Sequence, residues 1–223
     1  MEYAQGGYNA LVFGGSGACG YEFLKQIASN PSWTNIFVPL RRPCAEVLEV
    51  TAGNPKFKVI ETADVLNLDA ISAAVGGRPI HSVFVFFGSS MGISKQDVFK
   101  LHNTMILDAA KLAQQLRART FALLSSATTG LVRAFYLFRV KGQTQEDLKS
   151  IVLPSLIIYK PGLLVGRKDP RFIEKIGAYF PIEKIEVPAL VRKIIGNTER
   201  ILTSGQDSGF QALEHRDIAA LPY

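Results

Sequence analysis

Apolar residues gather along this chain in short runs separated by amphipathic stretches. The runs fall at 10–13, 36–40, 57–60, 83–87, 121–124 and 156–159, and their length and their β-branched and aromatic content predict strands. Between them, apolar positions recur at three- and four-residue steps over 21–28, 67–75, 95–116 and 132–152, the period of helices with one buried face. Strand and helix in regular alternation predict βαβ units, and so an α/β fold: a doubly wound parallel sheet of Rossmann type. A continuous run such as 83–87 suits a strand covered on both faces. Asn67 is placed to cap the helix that follows it, and Gly-Gly-Arg-Pro at 76–79 ends that helix. Past Gly162 the alternation fades and 167–197 mixes Pro170, Pro181 and Pro188 with basic and aromatic residues. Residues 1–223 are therefore expected to form one domain, with 163–200 contributing a small C-terminal substrate lobe.

The first strand runs into glycines, Leu-Val-Phe-Gly-Gly-Ser-Gly-Ala-Cys-Gly over 11–20, and then turns helical from about Ala18. Gly14 permits a tight turn, Gly17 lets the backbone approach a pyrophosphate, and Gly20 lets the new helix lie close to the sheet. The unpaired N–H groups at the helix start then point at the anion. Two registers fit at once: Gly15-x-Gly17-x-x-Gly20 and Gly14-x-x-Gly17-x-x-Gly20. Gly14, Gly15, Ser16, Gly17, Ala18 and Cys19 are accordingly candidate cofactor contacts. Cys19 is open to two readings, a thiol activated by the helix terminus or a small residue filling a tight turn.

The second strand narrows the ligand. A site that prefers NAD places an acid near the end of that strand to bind the ribose 2′-hydroxyl. From 31 to 43 there is no Asp or Glu, and Arg41-Arg42 takes the place, a pair suited to holding a 2′-phosphate or else to solvating a strand end. NADP is the cofactor this implies. Asp64, after the third strand, stands either at an adenine or in a turn. Gly88 and Ser89, with Ser90, end the fourth strand, where they could line the nicotinamide ribose or form a plain loop.

Composition adds limits. A chain of 223 residues with 48% hydrophobic content can bury a large core without disulfides, and its two cysteines fit a reducing compartment. The net charge of +6 is spread without a basic block, so nucleic acid is not an expected partner. No apolar run reaches membrane-spanning length. The opening residues carry Glu2 and lack a basic and an apolar region, so no cleaved signal is expected and the cytoplasm is the expected location. The three histidines, His81, His102 and His215, share no metal-ligand spacing, and no metal is expected.

With these residues assembled, the chain resembles the atypical short-chain dehydrogenase/reductases, and most closely the group around the Tat-interactive protein. The likeness is carried by the glycine loop 14–20, Arg41-Arg42, Phe87-Gly88-Ser89-Ser90, Leu123-Leu124-Ser125-Ser126, Val140-Lys141-Gly142 and Lys160-Pro161-Gly162-Leu163-Leu164. It implies a Rossmann-type fold, NADP(H), and reductase chemistry by a Ser, a Tyr and a Lys. Ser125 or Ser126 would bond the substrate carbonyl. Lys141 would hold the nicotinamide ribose and lower the pKa of the tyrosine that donates a proton, while Pro161 and Gly162 would shape the loop beside the nicotinamide.

That tyrosine should stand four residues before the lysine, where this chain has Leu137; the nearest is Tyr136. Four helical residues leave side chains about 40° apart and five about 140°, so Tyr136 reaches Lys141 only if a π-bulge absorbs the extra residue. Otherwise Tyr136 is a core or interface aromatic. Two functions follow: an NADP-dependent oxidoreductase on an unidentified small carbonyl or alcohol, or a catalytically weak binding protein whose NADP(H) occupancy governs contact with another protein. Monomer and homodimer both stay open.

Overall fold

The central strand shows how two cores arise from one alternating pattern. In β1 (Tyr8–Phe13), Ala10 and Val12 join the apolar cluster on one face of the sheet, while Leu11 and Phe13 join the cluster on the other. Period-two alternation with both sets apolar is what a doubly covered strand requires. The structure is a computed structural model that describes residues 7–88, 94–126, 132–166 and 183–222, with backbone alone over 132–135.

From β1 the chain passes through α1 (Ala18–Ala28), β2 (Trp33–Leu40), α2 (Ala45–Thr51), β3 (Phe57–Glu61), α3 (Leu68–Val75) and β4 (Ser82–Val85). It continues with α4 (Lys95–Phe99), a π-helical turn (Lys100–Thr104), α5 (Met105–Gln115), β5 (Thr120–Leu124), α6 (Val132–Leu148) and β6 (Ser155–Lys160). The last elements are β7 (Leu163–Val165), β8 (Lys184–Glu186), α7 (Val187–Ser204), β9 (Gly209–Glu214) and α8 (His215–Ala220).

Seven strands form one sheet in the order β3-β2-β1-β4-β5-β6-β9, every neighbouring pair parallel. The α/β Rossmann-like fold expected from the alternation is the fold of this chain. Strand order reverses at β1, which lies between β2 and β4 and so opens a crevice at its carboxyl end. Helix α1 is held over that end by aromatic packing. The Phe23 ring lies 4.4 Å from Phe84 and 5.1 Å from Phe86, each pair adding about 0.5–1.5 kcal/mol beyond area burial.

Several expected elements change. The helix over 95–116 is interrupted by the π-turn, and the one expected over 132–152 ends at Leu148. Asn67 does cap α3, its side chain accepting the Ala70 N–H at 2.8 Å. Helix α7 rises where prolines suggested irregularity, because Pro188 sits in its first turn, where a missing N–H costs nothing. It buries one face against the α1 side of the sheet. Within it, the Asn197 amide donates to the hydroxyl of fully buried Tyr159 at 2.8 Å, and burial pushes that phenol up to about 12. Lys193, also buried, donates to the carbonyls of Ala219 and Leu221 and so ties down the end of α8. Of segment 163–200, the described parts are the β7–β8 pair and most of α7; residues 167–182, with Pro170 and Pro181, lie outside the described residues.

Candidate functional site

At the carboxyl ends of β1, β2, β4, β5 and β6 lies a cleft of about 770 Å³, within the range of ligand sites. The glycine turn forms one end. Gly14 has φ +78°, and a Cβ there would stand 2.7 Å from the Phe86 carbonyl oxygen. A Cβ on Gly20 would stand 2.1 Å from Gly14 O, so glycine is required for the helix to leave the strand at this angle. Gly17 differs. A Cβ there meets nothing closer than Gly14 O at 3.4 Å, an ordinary contact, so the packing of the protein does not require glycine at a position that lines the cleft. Gly17 also caps α1 with no side-chain bond, and no acid stands in the first turn. A bare helix start facing a cradle that a side chain would fill fits a pyrophosphate. Gly14, Ser16, Gly17, Ala18 and Cys19 line this end, whereas Gly15 packs beneath it against Leu24 and Val38.

Arg41 follows β2 and lines the cleft; Arg42 is exposed beside it and does not. Among the described residues neither guanidinium has a hydrogen-bond or ion-pair partner. Asp64 is exposed, and its carboxylate accepts the Leu66 N–H at 3.0 Å in a turn; the neighbouring Val65 is the residue that reaches the cleft. Gly88 lines the cleft after β4, and Ser89 and Ser90 lie outside the described residues.

Ser125 and Ser126, after β5, both line the far half. Lys141 of α6 donates to Ser126 Oγ at 2.5 Å, which distinguishes Ser126 from its neighbour. Helix α6 is α-helical throughout, with no π-bulge between Tyr136 and Lys141. Leu137 therefore faces the cleft with Lys141, and Tyr136 turns its ring toward Lys95 of α4, whose Nζ is 5.7 Å from the ring centroid. The π-turn belongs to the neighbouring wall instead. There His102, 5% exposed, lines the cleft, and Thr144 Oγ1 of α6 lies 2.7 Å from its carbonyl oxygen.

Pro161 is buried, and Gly162 has a structural reason to be glycine: a Cβ would stand 2.2 Å from Glu183 O. The Gly162 N–H donates to His215 Nδ1 at 3.1 Å, which pins the start of β7 to α8. Neither Pro161 nor Gly162 lines the cleft, while Lys160 and Leu164 on either side of them do. Sequence reasoning passed over His102, although Leu101, His102, Met105 and Ile106 fall at helical spacing and all four line the wall. Among the described residues no cluster of His, Cys, Asp or Glu could hold a metal.

A parallel sheet reversed at β1, with a glycine turn and a bare helix start at the reversal, defines a Rossmann-like α/β fold. Solved structures with this fold include a putative NAD-dependent epimerase/dehydratase from Bacillus halodurans, with TM-score 0.68, 17% identity and 92% of each chain covered. Another is dTDP-glucose 4,6-dehydratase from Bacillus anthracis in complex with NAD, with TM-score 0.65, 12% identity, and 92% of this chain and 75% of that one covered. No protein-family model matches the chain.

In sequence, the chain is similar to fungal proteins named FMP52, mitochondrial. That of Emericella nidulans is 25% identical over 179 residues, covering 77% of this chain and 74% of the relative. FMP52-1 of Scheffersomyces stipitis is 28% identical over 163 residues, covering 72% and 69%. The protein of Saccharomyces cerevisiae is 26% identical over 166 residues, covering 72% and 67%. These names overturn the cytoplasmic expectation. It rested on the lack of a recognisable leader in the first residues, whereas every relative cited here is called mitochondrial. The Rossmann-type fold that the resemblance implied is the fold these solved structures share.

Proposed function

We propose that this chain is an NADP(H)-binding protein of the atypical short-chain dehydrogenase/reductase type, close to the Tat-interactive group, and an oxidoreductase on a small carbonyl or alcohol. The observation that carries the reading is Gly17, a cleft-lining position ahead of an uncapped helix where only a ligand would be crowded by a side chain. Ser16, Ala18 and Cys19 would surround the pyrophosphate, with Arg41 and Arg42 on the 2′-phosphate, Asp64 toward the adenine, and Gly88 and Ser89 near the nicotinamide ribose. The bound cofactor would supply or accept a hydride. Ser126 would donate to the substrate carbonyl, and Lys141 would hold the ribose and keep Ser126 oriented through its bond at 2.5 Å. The segment 163–200 would contribute the substrate lobe, and Pro161 and Gly162 would shape the loop beside the nicotinamide. The names of the fungal relatives support a mitochondrial setting, to be checked by cell fractionation.

The test is a titration with NADPH and NADH. NADPH should bind more tightly, and Arg41→Ala with Arg42→Ala should weaken NADPH by about tenfold to a hundredfold, as loss of charge-assisted bonds requires. An unchanged preference in the double variant, or no binding of either dinucleotide, would overturn the reading.

A second reading has its own support. Leu137 occupies the place of the proton-donating tyrosine and Tyr136 faces Lys95, which favours a protein that binds NADP(H) and signals its occupancy to another protein. Tight NADPH binding with no turnover across a carbonyl panel would select it.

A further inference from the structure

The end of β6 carries a lysine that the cofactor reading leaves unused. Lys160 lines the cleft, and its Nζ donates to Glu214 Oε1 at 2.5 Å. The sheet register makes that pairing, because Lys160 on β6 stands opposite Glu214 on β9. Glu214 is itself fixed. It caps α8 in a capping box, its carboxylate accepting a backbone N–H of the first turn while Asp217 accepts the Glu214 N–H at 2.9 Å. Its charge therefore rests on a helix start, outside the cleft lining. An ammonium has three donors, and only one of those on Lys160 is taken among the described residues.

The charge of the cleft gives this meaning. Arg41, Lys141 and Lys160 line it, and among the described residues no Asp or Glu does. On the proposed reading Arg41 takes the cofactor's 2′-phosphate, and Lys141 bonds Ser126. Lys160 lies three strands beyond β1 in the sheet order, roughly 14 Å at about 4.8 Å per strand, well past where the pyrophosphate would rest. Leu137, Phe138 and Leu164 line the same cleft with apolar surface.

We infer that the substrate is an anionic carbonyl compound or the matching alcohol, its carboxylate or phosphate held by Lys160 and its carbon body resting on Leu137, Phe138 and Leu164. The carbonyl part rests on the oxidoreductase reading; the anion site can be tested apart from it. The experiment is calorimetric titration of the NADPH-loaded full chain in two arms: 2-oxobutyrate against its neutral methyl ester, and glyceraldehyde 3-phosphate against glyceraldehyde. In at least one arm the anion should bind roughly tenfold or more tightly than its neutral partner, and the stronger arm identifies the head group.

Lys160→Met should erase that difference while NADPH affinity, which also reports folding, stays within about twofold, and Lys160→Arg should restore it. Equal binding of neutral and charged probes in both arms would overturn the inference. So would a difference that survives Lys160→Met, or displacement of the anion by NADPH. A flat NADPH titration would sink the cofactor reading alone, and the two arms would then be run on the protein without dinucleotide.

Discussion

Two glycines of one turn differ in what the protein's own packing asks of them, and substitution should separate them. Gly20→Ala puts a Cβ 2.1 Å from Gly14 O, a backbone atom that cannot swing away, so we expect a loss of roughly 1–3 kcal/mol in a urea melt. Gly17→Ala meets only an ordinary 3.4 Å contact and should change stability by less than about 1 kcal/mol, while weakening NADPH at least about tenfold. The glycine spacing was legible in the sequence. Which glycines the packing of the protein requires was not, because that depends on where the Phe86 carbonyl and α1 come to lie. His81 offers a second test. Its Nδ1 accepts the Asn9 N–H at 2.9 Å, and burial lowers its pKa below the ordinary 6.5. The unfolded chain therefore takes up this proton first as pH falls below about 6.5, and stability is lost from there down through the folded pKa. Urea midpoints measured between about pH 7.5 and 5 should fall less steeply for His81→Asn than for the unaltered chain.

Among the elements, α6 bears most directly on the proposed chemistry of the cleft. Its unbroken α-helical period sets Leu137 where a tyrosine would face Lys141, so Leu137→Tyr supplies the missing hydroxyl without moving the backbone. We expect that variant to raise NADPH oxidation with aldehydes or ketones by about tenfold or more, and Tyr136→Phe to leave NADPH affinity unchanged. Periodicity alone located α6, α1 and six of the seven strands of the main sheet, β1 to β6. It missed β9 because an edge strand whose inner positions are only half-buried shows little contrast, as Phe210, Gln211 and Ala212 do. It missed α7 because Pro188 lies in a stretch where the alternation fades, although that proline sits in the helix's first turn. The π-turn could not be read from the sequence at all; Leu101, His102 and Asn103 carry no local mark of it, and Thr144, which bonds the His102 carbonyl, lies on another helix.

For the molecule as a whole, dinucleotide binding and folding stability should rise together. At a hundred times its dissociation constant, a ligand of the folded state adds about 2.7 kcal/mol, which for a chain of this size shifts the melting temperature by roughly 5–11 °C. Differential scanning fluorimetry should show that shift with NADPH and a smaller one with NADH at equal concentration. The all-parallel sheet also fixes an order of events during synthesis. Since no neighbouring strands are joined by a hairpin, each pairing waits for a whole crossover to leave the ribosome. The glycine turn, Arg41 and β4 have emerged once Gly88 is out, whereas Lys160 gains its carboxylate only when Glu214 appears, more than a hundred residues later. On the proposed reading, a nascent chain would thus be able to meet a dinucleotide well before it could hold an anionic substrate.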